Sequence, residues 1–441
     1  MFASASKVGA TAGSVALLKS LFDEAATRRV GFQLWDGSRW PDDQPRAATL
    51  VLKHAEALEH MLVPGTESGL AEAYLRDDFD VEGDIEAALD IAEHLLKKEI
   101  ETAGNARWLG AWRQFSTAAM LRTVGRLLPS GTGAKHSRER DRRAVTFHYD
   151  VSNYFYALWL DSKMVYSCGY FQTSRDSLDD AQTQKLDYIC RKLRLRPGQH
   201  LLDIGCGWGA LVRHAAAHYG VDAIGITLSE RQAEWARARI AEAGLQQHAR
   251  IELRDYRDHF RDSWPYDAIV SVGMAEHVGR ENLPEYFQMV RDALKPGGVF
   301  LNHAISHGVV PGPETGDDSF IERHVFPDSD IPPISIVVTA AESAGLEVRD
   351  VEDLREHYAL TLRQWVRRLE ATHQQALQDV DEATYRTWRL YMAGSAHGFA
   401  TGQLAIYQTL LSRLDEGGSA ALPLTRADWY DARRKPIARA Q

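Results

Sequence analysis

The sequence predicts an α/β protein: a parallel sheet with packed helices in the larger, C-terminal part of the chain, preceded by a smaller mixed α+β domain. Three observations predict it. From Gly198 onward the apolar runs HLLDIG, DAIGIT, YDAIVSVG and GGVFLNHAIS alternate with helical stretches such as ERQAEWARARIAEAG, the rhythm of strand, crossover helix and parallel strand. Within it, LLDIGCGWGAL turns from a strand through Gly205, Gly207 and Gly209 into a helix, as ligand-binding turns of such sheets do. The length of 441 residues is about three times that of a typical domain and leaves room for a second one.

Taken in order, MFASASKVGATAGSVALLKSLF reads as an amphipathic N-terminal helix rather than a leader, because Lys19 interrupts it and no cleavage pattern follows. FQLWDGSRW reads as two short strands about an Asp-Gly turn. From Ser68 to Leu96 apolar residues recur at helical spacing, and the acidic FDVEGD interrupts them as a strand or turn. Between Ala103 and Tyr149 nine basic residues, among them Arg107, Arg113 and Arg122, face only Glu139 and Asp141. There, ARWLGAWRQFSTAAMLRTVGRLL has the pattern of an interfacial helix on anionic lipid or of a helix docking one domain on another. PSGTGAKHSRERDRR reads as an exposed linker. The expected layout is a small domain over 1–125, a basic linker over 126–145, a catalytic domain over 146–430 and a basic tail over 431–441. The stretch from His307 to Arg389 departs from the strand and helix rhythm, with Pro311, Pro327 and Pro332, and is expected to be an insertion or helical cover over the sheet.

Composition narrows the function. Hydrophobic residues make 44% and charged residues 25%, which excludes collagenous and largely disordered classes. A net charge of -10 argues against a nucleic-acid partner. No apolar run reaches the roughly 18 residues of a membrane span, so a membrane is expected to be touched and not crossed. Cys168, Cys190 and Cys206 follow no CxxC spacing, which speaks for a reducing compartment and against a zinc ribbon or any other metal site of that kind.

The glycine turn carries the chemistry. A dinucleotide loop places its third glycine three residues after the second; here the spacing is two, and Asp203 stands just before the loop. An acid there would repel a pyrophosphate but can accept from the cationic amino group of S-adenosylmethionine. That favours S-adenosylmethionine, and with it a Rossmann-like, class I methyltransferase fold, over a nicotinamide dinucleotide, which stays the minor alternative. The next strand ends GITLSERQ with no acid at its tip, so Thr227, Ser229 and Gln232 are expected to supply polar contacts to the cofactor.

HYDVSNYFYALWLDSKMVYSCGYF, DIGCGWG, GITLSERQ, EHVG, LKPGGVFLNHAIS and FIERHVFPDSDIPPIS together resemble cyclopropane-fatty-acyl-phospholipid synthases and the related mycolic acid methyltransferases, over about residues 145 to 410. The N-terminal part resembles the smaller domain that the bacterial phospholipid enzymes carry. The resemblance implies transfer of the sulfonium methyl to a cis double bond of a membrane phospholipid acyl chain, a carbocation, and ring closure after loss of a proton to bound bicarbonate. It implies a cytoplasmic, peripherally membrane-associated enzyme at an anionic surface, with the N-terminal domain either docking membrane or mediating a homodimer. It carries over a bicarbonate site at Glu276, His303, Tyr358, Cys168 and Ile305, with the amides of Cys168 and Ile305 as donors, and a cofactor site that adds Tyr166, Ser167, Trp208, Tyr256 and Arg257 to the residues above. Aromatic faces can stabilise the cation; of the rings between Phe147 and Phe171, most are expected in the core and only those beside Cys168 at the site.

Two departures stand out. Ser395 occupies the position of a family cysteine held to be an active-site residue, and Ala275 replaces bulkier side chains before EHVG. Both open a second outcome, a methylene- or methyl-branched chain. A lipid-binding protein without catalysis, and a methyltransferase of small molecules or nucleic acid, are the remaining readings; intact Asp203, Gly205, Gly207, Glu276 and His303 oppose the first, and overall acidity opposes the second.

Overall fold

A computed structural model describes residues 2–62, 67–102, 151–261, 265–310 and 330–430. These cluster into two units: 2–62, 67–102 and 381–397 in one, the rest in the other.

The first unit opens with helix Phe2–Leu21, anchored by buried Leu18 and Leu21. The expected hairpin forms: β1, Val30–Gln33, runs antiparallel to β2, Arg39–Trp40, and Gly37 takes a φ of 86° in the turn, where a Cβ would be strained. β3, Ala48–Leu52, lies parallel to β1 and antiparallel to β4, Phe79–Gly83, which is the FDVEGD stretch between helices Glu67–Leu75 and Ile85–Thr102. An unbroken catalytic domain over 146–430 does not match the clustering at 381–397. Polar contacts explain it: Arg386 donates to the carbonyls of Tyr74 (2.9 Å) and Phe79 (3.3 Å) and to Asp77 (2.7 Å). Arg389 donates to the Tyr74 hydroxyl and the Val81 carbonyl. Buried guanidinium groups need such acceptors, and the first unit supplies them. The basic linker, the arginine-rich helix, the tail and most of FIERHVFPDSD lie outside the described residues.

The second unit holds the α/β sheet. Its strands are β5 His200–Ile204, β6 Asp222–Thr227, β7 Ala249–Leu253, β8 Tyr266–Val272, β9 Leu294–His307, β10 Glu347–Asp353 and β11 Leu404–Ser412, in the order β10-β11-β9-β8-β5-β6-β7. β5 to β9 are parallel; β11 runs antiparallel to both neighbours. Both faces are covered: Leu201, Val270 and Leu301 enter one apolar cluster, Leu202, Ile269 and Phe300 the other, as period-two alternation in a doubly packed sheet requires.

One expectation is corrected. The stretch after His307 is not only a cover, because helix Ile334–Ser343 and β10 continue the sheet. EVRDVED escapes recognition since β10 is an edge strand whose residues are only half buried or exposed, so no apolar run marks it. Among the described residues no helix is long and apolar enough to cross a membrane.

Candidate active site

The site lies at the carboxyl ends of β5, β6 and β8, where a parallel sheet leaves its crevice. Asp203 stands at the end of β5 and the glycine turn follows, with positive φ at Gly205 (77°) and Gly207 (52°). A Cβ at Gly205 would come within 2.9 Å of the Met274 Cβ, whereas one at Gly207 would meet nothing within 4 Å, because Gly207 borders a cavity. Of the residues expected at the cofactor, Tyr166, Ser167, Asp203, Gly205, Gly207, Trp208, Thr227, Gln232, Tyr256 and Arg257 line it.

Two do not. Gly209 caps helix Ala210–Tyr219, and a Cβ there would lie 2.9 Å from that of Ala236, so its service is to close packing. Ser229 caps helix Glu230–Glu242, its hydroxyl accepting from the Gln232 amide. Thr227 donates to Gln232 Oε1 at 2.9 Å, fixing both over the floor. Arg257 pairs with Asp255 (2.7 Å) and sits 5.1 Å over the Tyr256 ring.

Lys185, Met164, Asp255 and Met274 also line the cavity, and the sequence reading missed them. Lys185 is 2% exposed and its Nζ donates to Ser167 Oγ at 2.7 Å. Burial draws its ammonium down to about 8, opposed by the neighbouring acids Asp161 and Asp203. Burial likewise pushes the Asp203 carboxyl up to about 7, with Lys185 pulling the other way. The signal was available: Lys185 falls four residues after Ala181 and four before Ile189, on the buried stripe of helix Leu178–Lys192.

A second group forms past β8 and on β9. Glu276 is 8% exposed; its Oε1 accepts from the Ile305 amide at 2.8 Å. The amide expected to serve an anion is therefore engaged by Glu276, a correction that follows from the carboxylate's own need for a donor in a buried place. Burial pushes this carboxyl up to about 7. His303, on the same strand two residues earlier, is fully buried, and burial holds it well below the ordinary imidazole value, hence neutral. Among the described residues Glu276 Oε2 and His303 Nε2 have no hydrogen-bond partner.

Tyr358 is buried on helix Arg355–Ala371, its ring 4.7 Å from that of Phe399. Cys168 is fully buried with its thiol near the Gly169 and Leu354 carbonyls, and burial pushes the thiol far up, so it is no thiolate. Ser395 is buried on helix Glu382–Thr401 and belongs to the first unit, while the other five lie in the second.

A run of rings leads from the cavity to Tyr358. Trp208 meets Tyr156 (5.0 Å), Tyr156 meets Tyr166 (5.7 Å), Tyr166 meets Trp365 (5.2 Å) and Trp365 meets Tyr358 (6.0 Å). Phe155, Tyr156 and Trp159 are core, Tyr166 reaches the cavity, and Tyr154 is half exposed. One cluster of metal-ligand type, His54, His60 and Asp78, occurs among the described residues. Arg76 holds the second oxygen of Asp78 at 3.0 Å, and His54 and His60 each lie 3.1 Å from the first.

The family described as Mycolic acid cyclopropane synthetase matches residues 136–409. A probable fatty acid methyltransferase of Pseudomonas putida is 38% identical over 404 residues, 90% of this chain and 95% of that protein. The cyclopropane-fatty-acyl-phospholipid synthase of Escherichia coli is 36% identical over 62% of this chain and 68% of its own length. The structure of mycolic acid cyclopropane synthase CmaA1 complexed with SAH and CTAB superposes with a TM-score of 0.57 at 33% identity, covering 61% of this chain and 97% of that one. Sheet order, glycine turn and these likenesses agree: the chain belongs to the mycolic acid cyclopropane synthetase family of S-adenosylmethionine-dependent methyltransferases.

Proposed function

We propose that the protein adds one carbon from S-adenosylmethionine across the cis double bond of an unsaturated phospholipid acyl chain, giving a cyclopropane. The observation that carries this is two buried polar atoms without a partner among the described residues, Glu276 Oε2 and His303 Nε2, in a protein whose cavity is lined by Tyr166, Trp208 and Tyr256. A methyl transfer to oxygen or nitrogen sheds an acidic proton with ease and needs no such equipment. Transfer to an alkene leaves a cation that must lose a proton from carbon.

The cavity fits the methyl donor, with an acid at Asp203, hydrogen-bonding Thr227 and Gln232, and a backbone that approaches closely at Gly207. S-adenosylmethionine, when bound, supplies an electrophilic methyl. The alkene π pair forms a bond to that carbon as the sulfonium bond breaks, and positive charge develops on the neighbouring chain carbon. Tyr166 and the rings behind it present negative faces to such a charge and keep water out. Glu276, His303 and Tyr358 fit a small anion that carries its own proton: the carboxylate accepts it, while a neutral imidazole and a phenol donate. Held there, bicarbonate supplies a base. Loss of a proton from the new methyl, with a bond formed to the cationic carbon, closes the ring.

The full-length likeness to a probable fatty acid methyltransferase favours a second outcome, in which a hydride shift precedes loss of the same proton and leaves a methylene branch. Incubation with S-adenosylmethionine and vesicles of monounsaturated, anionic phospholipid, followed by mass spectrometry and proton NMR of the fatty acids, tests both. A gain of CH2 with upfield ring protons supports the cyclopropane; vinylic protons replace it with methylenation; no gain, with cofactor bound, refutes the substrate.

A further inference from the structure

We infer that Gln408 is a positioning residue that decides which nitrogen of His303 carries the ring proton. The inference deepens the anion-site reading above and rests on it. β11 runs antiparallel to β9 with Gln408 directly opposite His303, a cross-strand pair whose side chains meet on one face of the sheet. Both side chains are fully buried, away from bulk solvent.

Gln408 Nε2 lies 3.3 Å from His303 Nδ1. Gln408 turns its amide nitrogen to the ring and leaves its Oε1 without a partner among the described residues; so placed, the amide donates and Nδ1 accepts, and a neutral imidazole that accepts at Nδ1 carries its proton on Nε2. His303 is held neutral by burial, with the positive charges of Lys185 and Lys192 acting in the same direction; a single proton has to be placed on one of two nitrogens. Nε2 is the nitrogen with no partner among the described residues, and an N–H there offers a donor to an anion without adding charge. The opposite tautomer would turn a lone pair toward the anion and repel it. Selecting the tautomer from the far side of a catalytic imidazole is the role that an acid plays in hydrolase triads. Here a neutral amide performs it, because a carboxylate beside Nδ1 would hold the proton on the wrong nitrogen.

The test is 15N NMR of the full-length protein with labelled histidine, the His303 signals identified by their loss in His303→Gln. In the wild type, Nδ1 is expected at the unprotonated and Nε2 at the protonated shift; the reverse overturns the proposal without any variant. In Gln408→Met, which keeps volume and removes the donor, the His303 signals are expected to move to averaged values. Turnover is expected to fall on the order of tenfold, with the KM for bicarbonate raised and that for S-adenosylmethionine unchanged. Gln408→Leu repeats the measurement should the methionine variant fail to fold. An unmoved His303 spectrum with unchanged turnover in the variant overturns the role of Gln408. A wild-type rate independent of added bicarbonate, in bicarbonate-free buffer, overturns the anion reading instead, while the spectra still report on Gln408.

Discussion

Replacing Glu276 by glutamine should make the protein more stable in alkali while abolishing turnover, and the size of the gain follows from burial. The carboxyl is pushed from its ordinary 4.5 to about 7 by desolvation, which the Ile305 amide only partly offsets. A raised acid binds its proton more tightly in the folded state, so the stability it contributes is complete below 4.5 and is lost as pH rises through about 7. Linkage over that interval makes the ionised acid cost the fold about 3 kcal/mol at pH 8 and about 1 kcal/mol at pH 5. Glutamine is neutral throughout and its oxygen can still accept from Ile305. The variant should therefore melt on the order of 5 °C above the wild type at pH 8, with a much smaller difference at pH 5. Asp203 and every other titrating group are common to both proteins and cancel in the comparison. Thermal unfolding of the pair at the two pH values, followed by circular dichroism, is the assay. An identical difference at both pH values would refute the reasoning, because it would show that the carboxyl carries no buried charge.

Lys185→Met should weaken binding of S-adenosylhomocysteine on the order of tenfold by calorimetry, since Ser167 loses its donor and Asp203 its cation; unchanged affinity would leave Lys185 a framework residue. Tyr358→Phe keeps the 4.7 Å ring contact with Phe399 but removes the hydroxyl, so turnover should drop on the order of a hundredfold with the melting temperature unmoved. A rate within a factor of about two would take the phenol out of the site. Cys168→Ala should retain turnover within about tenfold and cost about 1 kcal/mol in denaturant unfolding, because a thiol held protonated by burial does no covalent work. Complete loss of activity in a folded Cys168→Ala protein would show otherwise.

β5, β6, β8 and β9 were legible because each is an apolar run beside helices that show their period, whereas ARIEL of β7, with Arg250 and Glu252 in its five residues, and β11 were not read as strands; DIGCGWG announced the cofactor turn because positive φ at Gly205 and Gly207 demands glycine. β10 was not legible, since an edge strand with one wet face has no need of apolar residues. Nor were Arg386 and Arg389, whose carbonyl partners lie more than three hundred positions away along the chain.

The chemistry divides in the same way. Local sequence by itself determined which side chains are available, Glu276 past one strand and His303 on the next, and that Asp203 precedes a glycine turn. Only the tertiary structure decided what those groups are. It buried Glu276 and moved its carboxyl toward neutrality, gave the Ile305 amide to it, set Lys185 against Ser167, and placed Gln408 across from His303. The physical reason is that proton affinity and tautomer depend on dielectric surroundings and on partners brought in from other strands, neither of which is written within a few residues of the group itself.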